Sequence, residues 1–165
     1  MVCIALLAIK GYNLQSQNNW NYFPKICVPD EGCARVSRSF NHRDDIVIKN
    51  NVFTVSGLNQ QVLENTLALC LDEGTTIYNS ASYDEPMNKL SHTLFVSPVL
   101  GFVDDMYVEI VDCSKNKQLY SFNIQSSIRM GQSDYGTSSR RVAAIYQCLA
   151  DNISADRITS KGRVC

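Results

Sequence analysis

The fold is limited most by a run of extended segments between residues 75 and 128 with a helical pattern on either side. Thr75 to Tyr83 is rich in Thr, Ile and Tyr and leads into a turn around Asp84-Glu-Pro86. Leu90 to Val96 breaks at Ser97-Pro98 and resumes from Gly101 to Val111. Pro98 has no N–H for a ladder and Gly101 tolerates unusual dihedrals, so a bend or bulge is expected there. Lys115-Asn-Lys117 reads as a hairpin turn into Gln118–Ile128. There Leu119, Ser121 and Asn123 alternate with Tyr120, Phe122 and Ile124, the period of a half-buried strand. Upstream, Leu63, Leu67, Cys70 and Leu71 recur at helical spacing, with Ser56 placed to cap one end and Gly74 to terminate the other. Downstream, Val142, Ile145, Tyr146, Leu149 and Ile153 mark one face of a second helix over 140–153. Helix, three or four antiparallel strands, then helix is the order of a two-layer α+β fold. The expectation is an antiparallel sheet of three to five strands with two helices packed on one face.

At 165 residues, 45% apolar and 19% charged, the chain fits one globular domain able to bury a single core. Its formal charge of −1 gives no bulk electrostatic case for nucleic acid or an anionic membrane. Residues 44–155 form the expected domain, opening with short extended pieces at Asp45–Lys49 and Val52–Val55. Residues 1–43 read as an extended N-terminal segment with a cysteine loop, pinned by Trp20, Tyr22 and Phe23, and 156–165 as a loose basic tail. The first nine residues, Met1-Val-Cys-Ile-Ala-Leu-Leu-Ala-Ile9, are apolar but too few to span a bilayer, and no basic region precedes them. They can be a buried strand or short helix, the end of a longer targeting segment, or a peripheral membrane contact.

Seven cysteines are many for this length. Cys27 and Cys33 flank a Pro- and Gly-bearing loop that suits a small disulfide and suits zinc poorly. Connectivity is open at this point. Such a bridge, if formed, implies an exported or lumenal compartment. Cys70 and Cys148 fall on the helices and read as buried thiols, Cys3 and Cys165 lie near the termini, and Cys113 lies near a strand end. His42 and His92 are far apart, with no Cys/His cluster, so neither a metal nor a cofactor is expected. One glycosylation sequon, Asn152-Ile-Ser154, matters only in a secretory lumen.

The densest chemistry is the window 126–141, SSIRMGQSDYGTSSRR. Arg129, Ser133, Asp134, Arg140 and Arg141 lie within it, and Asp104-Asp105 can approach from a neighbouring strand. One reading is an anion pocket built from glycine-freed amides and arginine forks. The other is an internal ion-pair lock in which the three acids satisfy the three arginines. Adjacent strand residues point to opposite faces, which argues against Asp104 and Asp105 acting together as acid and base. A nucleophile elbow, a phosphate loop and a dinucleotide fingerprint are all missing from the sequence.

Gly101-Phe-Val-Asp-Asp105, Ser127-Ile-Arg-Met-Gly-Gln-Ser-Asp-Tyr-Gly136 and Arg140-Arg141 occur in the order characteristic of one family. With Cys27-x5-Cys33, which matches that family's cysteine pair, they make the chain resemble domain of unknown function fourteen ninety-nine, found in bacteria, algae and plants. The likeness spans about residues 27 to 150. Ser138 stands where the family has Asn, and Leu100 where it has Phe. Asn and Ser both cap helices, so Ser138 or a neighbour is expected to cap the second helix. The resemblance implies no reaction. It does imply a compartment, since bacterial members are often exported or membrane-associated and plant members look plastid-targeted. The expected function is a non-catalytic accessory or interaction subunit of a membrane-associated protein assembly, organellar (plastid, thylakoid-associated) or exported. The alternative is a small binding module for an anionic or lipid-like ligand, and the third reading is a hydrolase.

Overall fold

A computed structural model describes residues 23, 24, 26, 27, 32–36, 53–72, 75–81, 89–97, 101–114, 118–129, 134–153 and 158–159. Strand β1 (Cys33–Val36) and β2 (Phe53–Ser56) precede helix α1 (Gln60–Cys70). Strands β3 (Thr75–Ala81), β4 (Lys89–Val96), β5 (Val103–Ser114) and β6 (Leu119–Ile128) follow, then α2 (Thr137–Asn152) and β7 (Ile158–Thr159). All pairings are antiparallel, in the order β3-β4-β5-β6-β2-β7. The free edge of β6 is shared: β2 pairs with residues 119–122 and β1 with residues 124–127.

The α+β architecture follows from the period of the strands. Met106, Val108 and Ile110 of β5 and Tyr120, Phe122 and Ile124 of β6 occupy one face and are all buried. Leu63, Leu67 and Leu71 from α1 and Val142, Ile145, Leu149 and Ile153 from α2 pack into the same core. Both helices therefore cover one side of the sheet, each with an apolar stripe at three- and four-residue spacing. Ala34, Val36 and Val55 extend this core under the shared edge of β6.

Several boundaries differ from expectation. Ser56 is not the cap of α1, because strand pairing carries through it to Leu119. Gly57, at φ +72°, then turns the chain and Asn59 caps the helix, its Oδ1 accepting from Gln61 N at 2.7 Å. The helix ends at Cys70, before Gly74. The break after β4 is the reversal into β5, with Ser97 N donating to Phe102 O at 2.8 Å and Gly101 at φ +69°. Strands β1 and β7 lie in segments read as an extended arm and a loose tail; at four and two residues they are too short to show a period. The expected extended piece Asp45–Lys49, the turns at 84–86 and 115–117, Pro98 and residues 1–9 lie outside the described residues.

Cys70 and Cys148 are not thiols. They join α1 to α2 in a disulfide with Cα atoms 5.7 Å apart, because the two helices share one sheet face. Cys27 and Cys33 form a second bridge, and Cys113 is also disulfide-bonded. In the chain-entropy account, the 78-residue separation of Cys70–Cys148 is worth about 4–5 kcal/mol and the six-residue separation of Cys27–Cys33 about 2 kcal/mol. Phe122 has no exposed surface at the centre of the sheet. Phe122→Ala is expected to lower the unfolding free energy by about 3–5 kcal/mol in urea denaturation, with little change in the slope.

Candidate functional site

Asp104 and Asp105 are neighbours on β5, so the pleat sends their carboxylates to opposite faces of the sheet. On the helix-covered face, Arg141 of α2 donates from Nη1 to Asp104 Oδ2 at 2.8 Å and to Ser126 Oγ at 3.4 Å. Its guanidinium lies 4.6 Å from the centroid of the Phe95 ring. Burial pushes the Asp104 carboxyl above its usual range, against the opposing pull of Arg141.

On the other face, Arg129 grips Asp105 with two bonds, Nε to Oδ2 at 2.8 Å and Nη2 to Oδ1 at 2.7 Å. His92 Nε2 lies 2.6 Å from Asp105 Oδ1, and since a carboxylate only accepts, this nitrogen carries the donated proton. The His92 ring stacks on its cross-strand partner Tyr107 with centroids 4.3 Å apart. Burial alone would raise Asp105, but the bonds from Arg129 and His92 outweigh it and hold the carboxyl below its usual range. Arg129 is raised in turn by Asp105, while burial and then the Asp105 charge push the Tyr107 phenol up.

The same face carries a second polar group. Arg35 of β1 donates from Nε to Gln125 Oε1 at 2.7 Å, and its Nη2 reaches that oxygen and Pro24 O. Phe23 lies under the guanidinium, 5.2 Å away, and burial lowers the arginine's pKa. Gln125 Nε2 donates to Ile26 O at 3.4 Å, and Asn123 Nδ2 to Glu109 Oε2 at 2.6 Å. The bonds to Pro24 and Ile26, with the Cys27–Cys33 bridge, bind Pro24, Ile26 and Cys27 against this polar face.

Asp134 engages no arginine among these bonds. It caps α2, with Oδ1 accepting from Gly136 N at 2.9 Å and Oδ2 from Ser138 N at 2.6 Å. Burial would raise its carboxyl, but hydrogen bonds from Ser138 and from the Gly136 amide bring it below the usual range. The N-cap position is Gly136 and Ser138 is the second helical residue, while Tyr135 and Gly136 at φ +50° and +79° set the Asp134 carboxylate beneath the first turn. The Ser138 hydroxyl instead donates to Gly32 O at 2.8 Å, and Gly32 O also accepts from Ile128 N at 3.2 Å. A Cβ at Gly32 would lie 2.6 Å from Ile128 Cδ1, and φ is +69°, so glycine is required where β1, β6 and α2 meet. Arg140 is exposed and makes local bonds, to Tyr135 O at 3.0 Å and Thr137 Oγ1 at 3.2 Å. Ser133 lies outside the described residues.

The window is thereby divided: Arg129 to one sheet face, Arg141 to the other, Asp134 to the helix, Arg140 to solvent. Asp104 and Asp105 cannot act on one substrate. Among the described residues no group of three His, Cys, Asp or Glu side chains could hold a metal ion, and no helix is long and apolar enough to cross a membrane. His92, Tyr107, Arg35 and Gln125 were not singled out in the sequence as site residues. Only the strand register, which sets His92 opposite Tyr107 and Arg35 opposite Gln125, brings them together.

Asp105 and Asp134, with depressed folded values, contribute stability that is present above the unfolded carboxyl pKa of about 4 and lost as pH falls through their folded values. Asp104, raised, works in the opposite direction. Asp105→Asn is expected to lower stability at pH 7 by about 3–5 kcal/mol and to flatten the acid limb of the stability curve below about pH 5. Asp104→Asn should steepen that limb. Urea denaturation from pH 2 to 7 reads both.

Residues 49–149 match the family described as protein of unknown function, DUF1499. No curated protein and no solved structure matches the chain.

Proposed function

Since the chain belongs to the DUF1499 family, to which no reaction is attached, we propose from the geometry that it is a non-catalytic accessory subunit of a protein assembly. One observation carries this reading. Apart from Arg140, the described charges of the signature face inward, in Arg129–Asp105–His92, Arg141–Asp104 and the Asp134 cap, while three large apolar or aromatic side chains nearby stand exposed. Val96, Phe102 and Tyr135 are 45%, 42% and 89% exposed. The bond from Arg129 N to Val103 O sets the β4–β5 reversal beside the exit of β6, which leads to Tyr135. Exposed aromatics held on a braced turn are the usual anchors of protein interfaces. The left-handed backbone at Tyr135 (φ +50°), uncommon for a bulky residue, aims the ring outward at an energetic cost the Asp134 cap offsets.

The disulfides favour an oxidising compartment, either outside the cell or within an organellar lumen. The anionic-ligand reading would rest on Arg140, since Arg129 and Arg141 engage carboxylates. The hydrolase reading finds no convergent acid, base and nucleophile among the described residues.

In cells, the native protein is expected to migrate in a species much larger than 18.5 kDa in mild detergent. Phe102→Asp and Tyr135→Asp should each shift it toward the monomer, weakening association about 30-fold or more while leaving the melting temperature within a few degrees. A wild-type chain that runs as a monomer, or variants that stay assembled, would refute the subunit reading. A Tm rise with millimolar phosphate that Arg140→Ala abolishes would favour the ligand reading in its place.

A further inference from the structure

The two described bridges differ in setting. Cys27 and Cys33 are 7% and 6% exposed, whereas Cys70 and Cys148 are both only partly buried, at the seam between α1 and α2. Helix α1 is the lightly attached element. Among the described residues, it reaches the rest of the protein through Leu63, Leu67 and Leu71, the Cys70–Cys148 bridge and a partly buried ion pair, Glu64 Oε1 to Lys89 Nζ at 2.7 Å. Beneath it, between α1 and β4, lies a crevice of about 40 Å³ bordered by Leu67, Leu71, Leu90 and Ile110, with Glu64 and Lys89 at its rim. The interface under α1 is thus incompletely filled, and the bridge closes it at the helix C-terminus.

We propose that Cys70–Cys148 is a thiol-exchange site, reduced by a dithiol, and that its reduction releases α1 from the sheet. Both cysteines lie near helix C-termini, where the dipole disfavours a thiolate. Cys148 has a compensating donor: Asn152 Nδ2 lies 3.6 Å from its Sγ while also donating to Cys148 O at 2.9 Å. Cys148 is therefore the better leaving group, and the incoming thiolate attacks Cys70 Sγ. A donor–S–Cys70 bond forms, the Cys70–Cys148 bond breaks, and its electron pair leaves on Cys148 Sγ, which then takes a proton. The donor's second thiolate attacks the donor's own mixed-disulfide sulfur, and Cys70 leaves and is protonated. Two electrons pass from the dithiol, now a disulfide, to the two cysteines of this chain. Release of α1 uncovers Leu71, Leu90 and Ile110 along the crevice, a surface distinct from the Phe102–Tyr135 end and independent of the subunit reading.

The test uses the full oxidised chain with dithiothreitol as the dithiol. Timed maleimide labelling and peptide mapping report each cysteine, and hydrogen exchange reports each helix. Cys70 and Cys148 are expected to label about tenfold or more faster than Cys27 and Cys33, with protection of residues 60–70 falling at least about tenfold while β5 and β6 stay protected. Asn152→Ala should slow reduction about threefold or more. The double variant Cys70→Ser/Cys148→Ser should show the same loss of α1 protection without reductant. If that variant does not fold, labelling and exchange on the wild-type chain still decide. Equal or faster labelling of Cys27 and Cys33, α1 protection unchanged by reduction, or loss of β5–β6 protection along with α1 would each overturn the proposal. An unchanged rate in Asn152→Ala would overturn attack at Cys70.

Discussion

Everything around the signature depends on two consecutive carboxylates on one central strand. Asp104 and Asp105 sit on β5, paired to β4 on one side and β6 on the other, and each anchors an arginine from a different part of the chain. Arg141 ties the second helix down onto the sheet, and Arg129 ties the exit of β6 against the opposite face. Just ahead of α2, the chain between these two arginines has two consecutive residues in the left-handed region, Tyr135 and Gly136. Moving either carboxylate by one position along the strand would put its anchor on the wrong side.

The sheet consequently has two unlike interiors. The helix side is a close-packed apolar core around Phe122, Met106 and Leu149. The other side buries His92, Asp105, Tyr107, Gln125 and Arg35, whose polar atoms are matched across neighbouring strands. Polar groups buried in this way specify strand register more sharply than apolar contacts, because a slip leaves charges unpaired at a cost of several kcal/mol each.

The fold was largely legible because it is written in local periods. The alternation along 118–128 defines β6 and its inward face, and the three- and four-residue spacing of Val142, Ile145 and Leu149 defines the inward face of α2. Within the site, the opposition of Asp104 and Asp105 was readable from the pleat. Which acid meets which arginine was not, because that depends on the turn at 135–136. His92, noted only as a histidine far from any metal-ligand cluster, was not placed in the site for a similar reason, as its partners come from other strands. Cys70 and Cys148 sit on helix faces where a thiol and half a disulfide have the same local pattern. Asp134 and Ser138 are both good capping residues, and only the backbone geometry puts Gly136 at the cap position with the Asp134 carboxylate accepting from the first turn.

The shared edge of β6 bears on how the chain assembles. The hairpins β3–β4, β4–β5 and β5–β6 join strands adjacent in sequence, whereas β1 reaches β6 across about 90 residues, as Arg35 and Gln125 show. Contacts of such separation carry a larger loop-closure cost than the hairpins of the local meander. The Cys27–Cys33 loop can close on the nascent chain, while Cys70 must wait for the last helix before it meets Cys148. Oxidative maturation therefore has an order built into the topology: a short loop first, then the meander, then the interhelical crosslink. During synthesis β1 and β2 emerge before β6, so their edges stay without this partner until residues 119–128 are made.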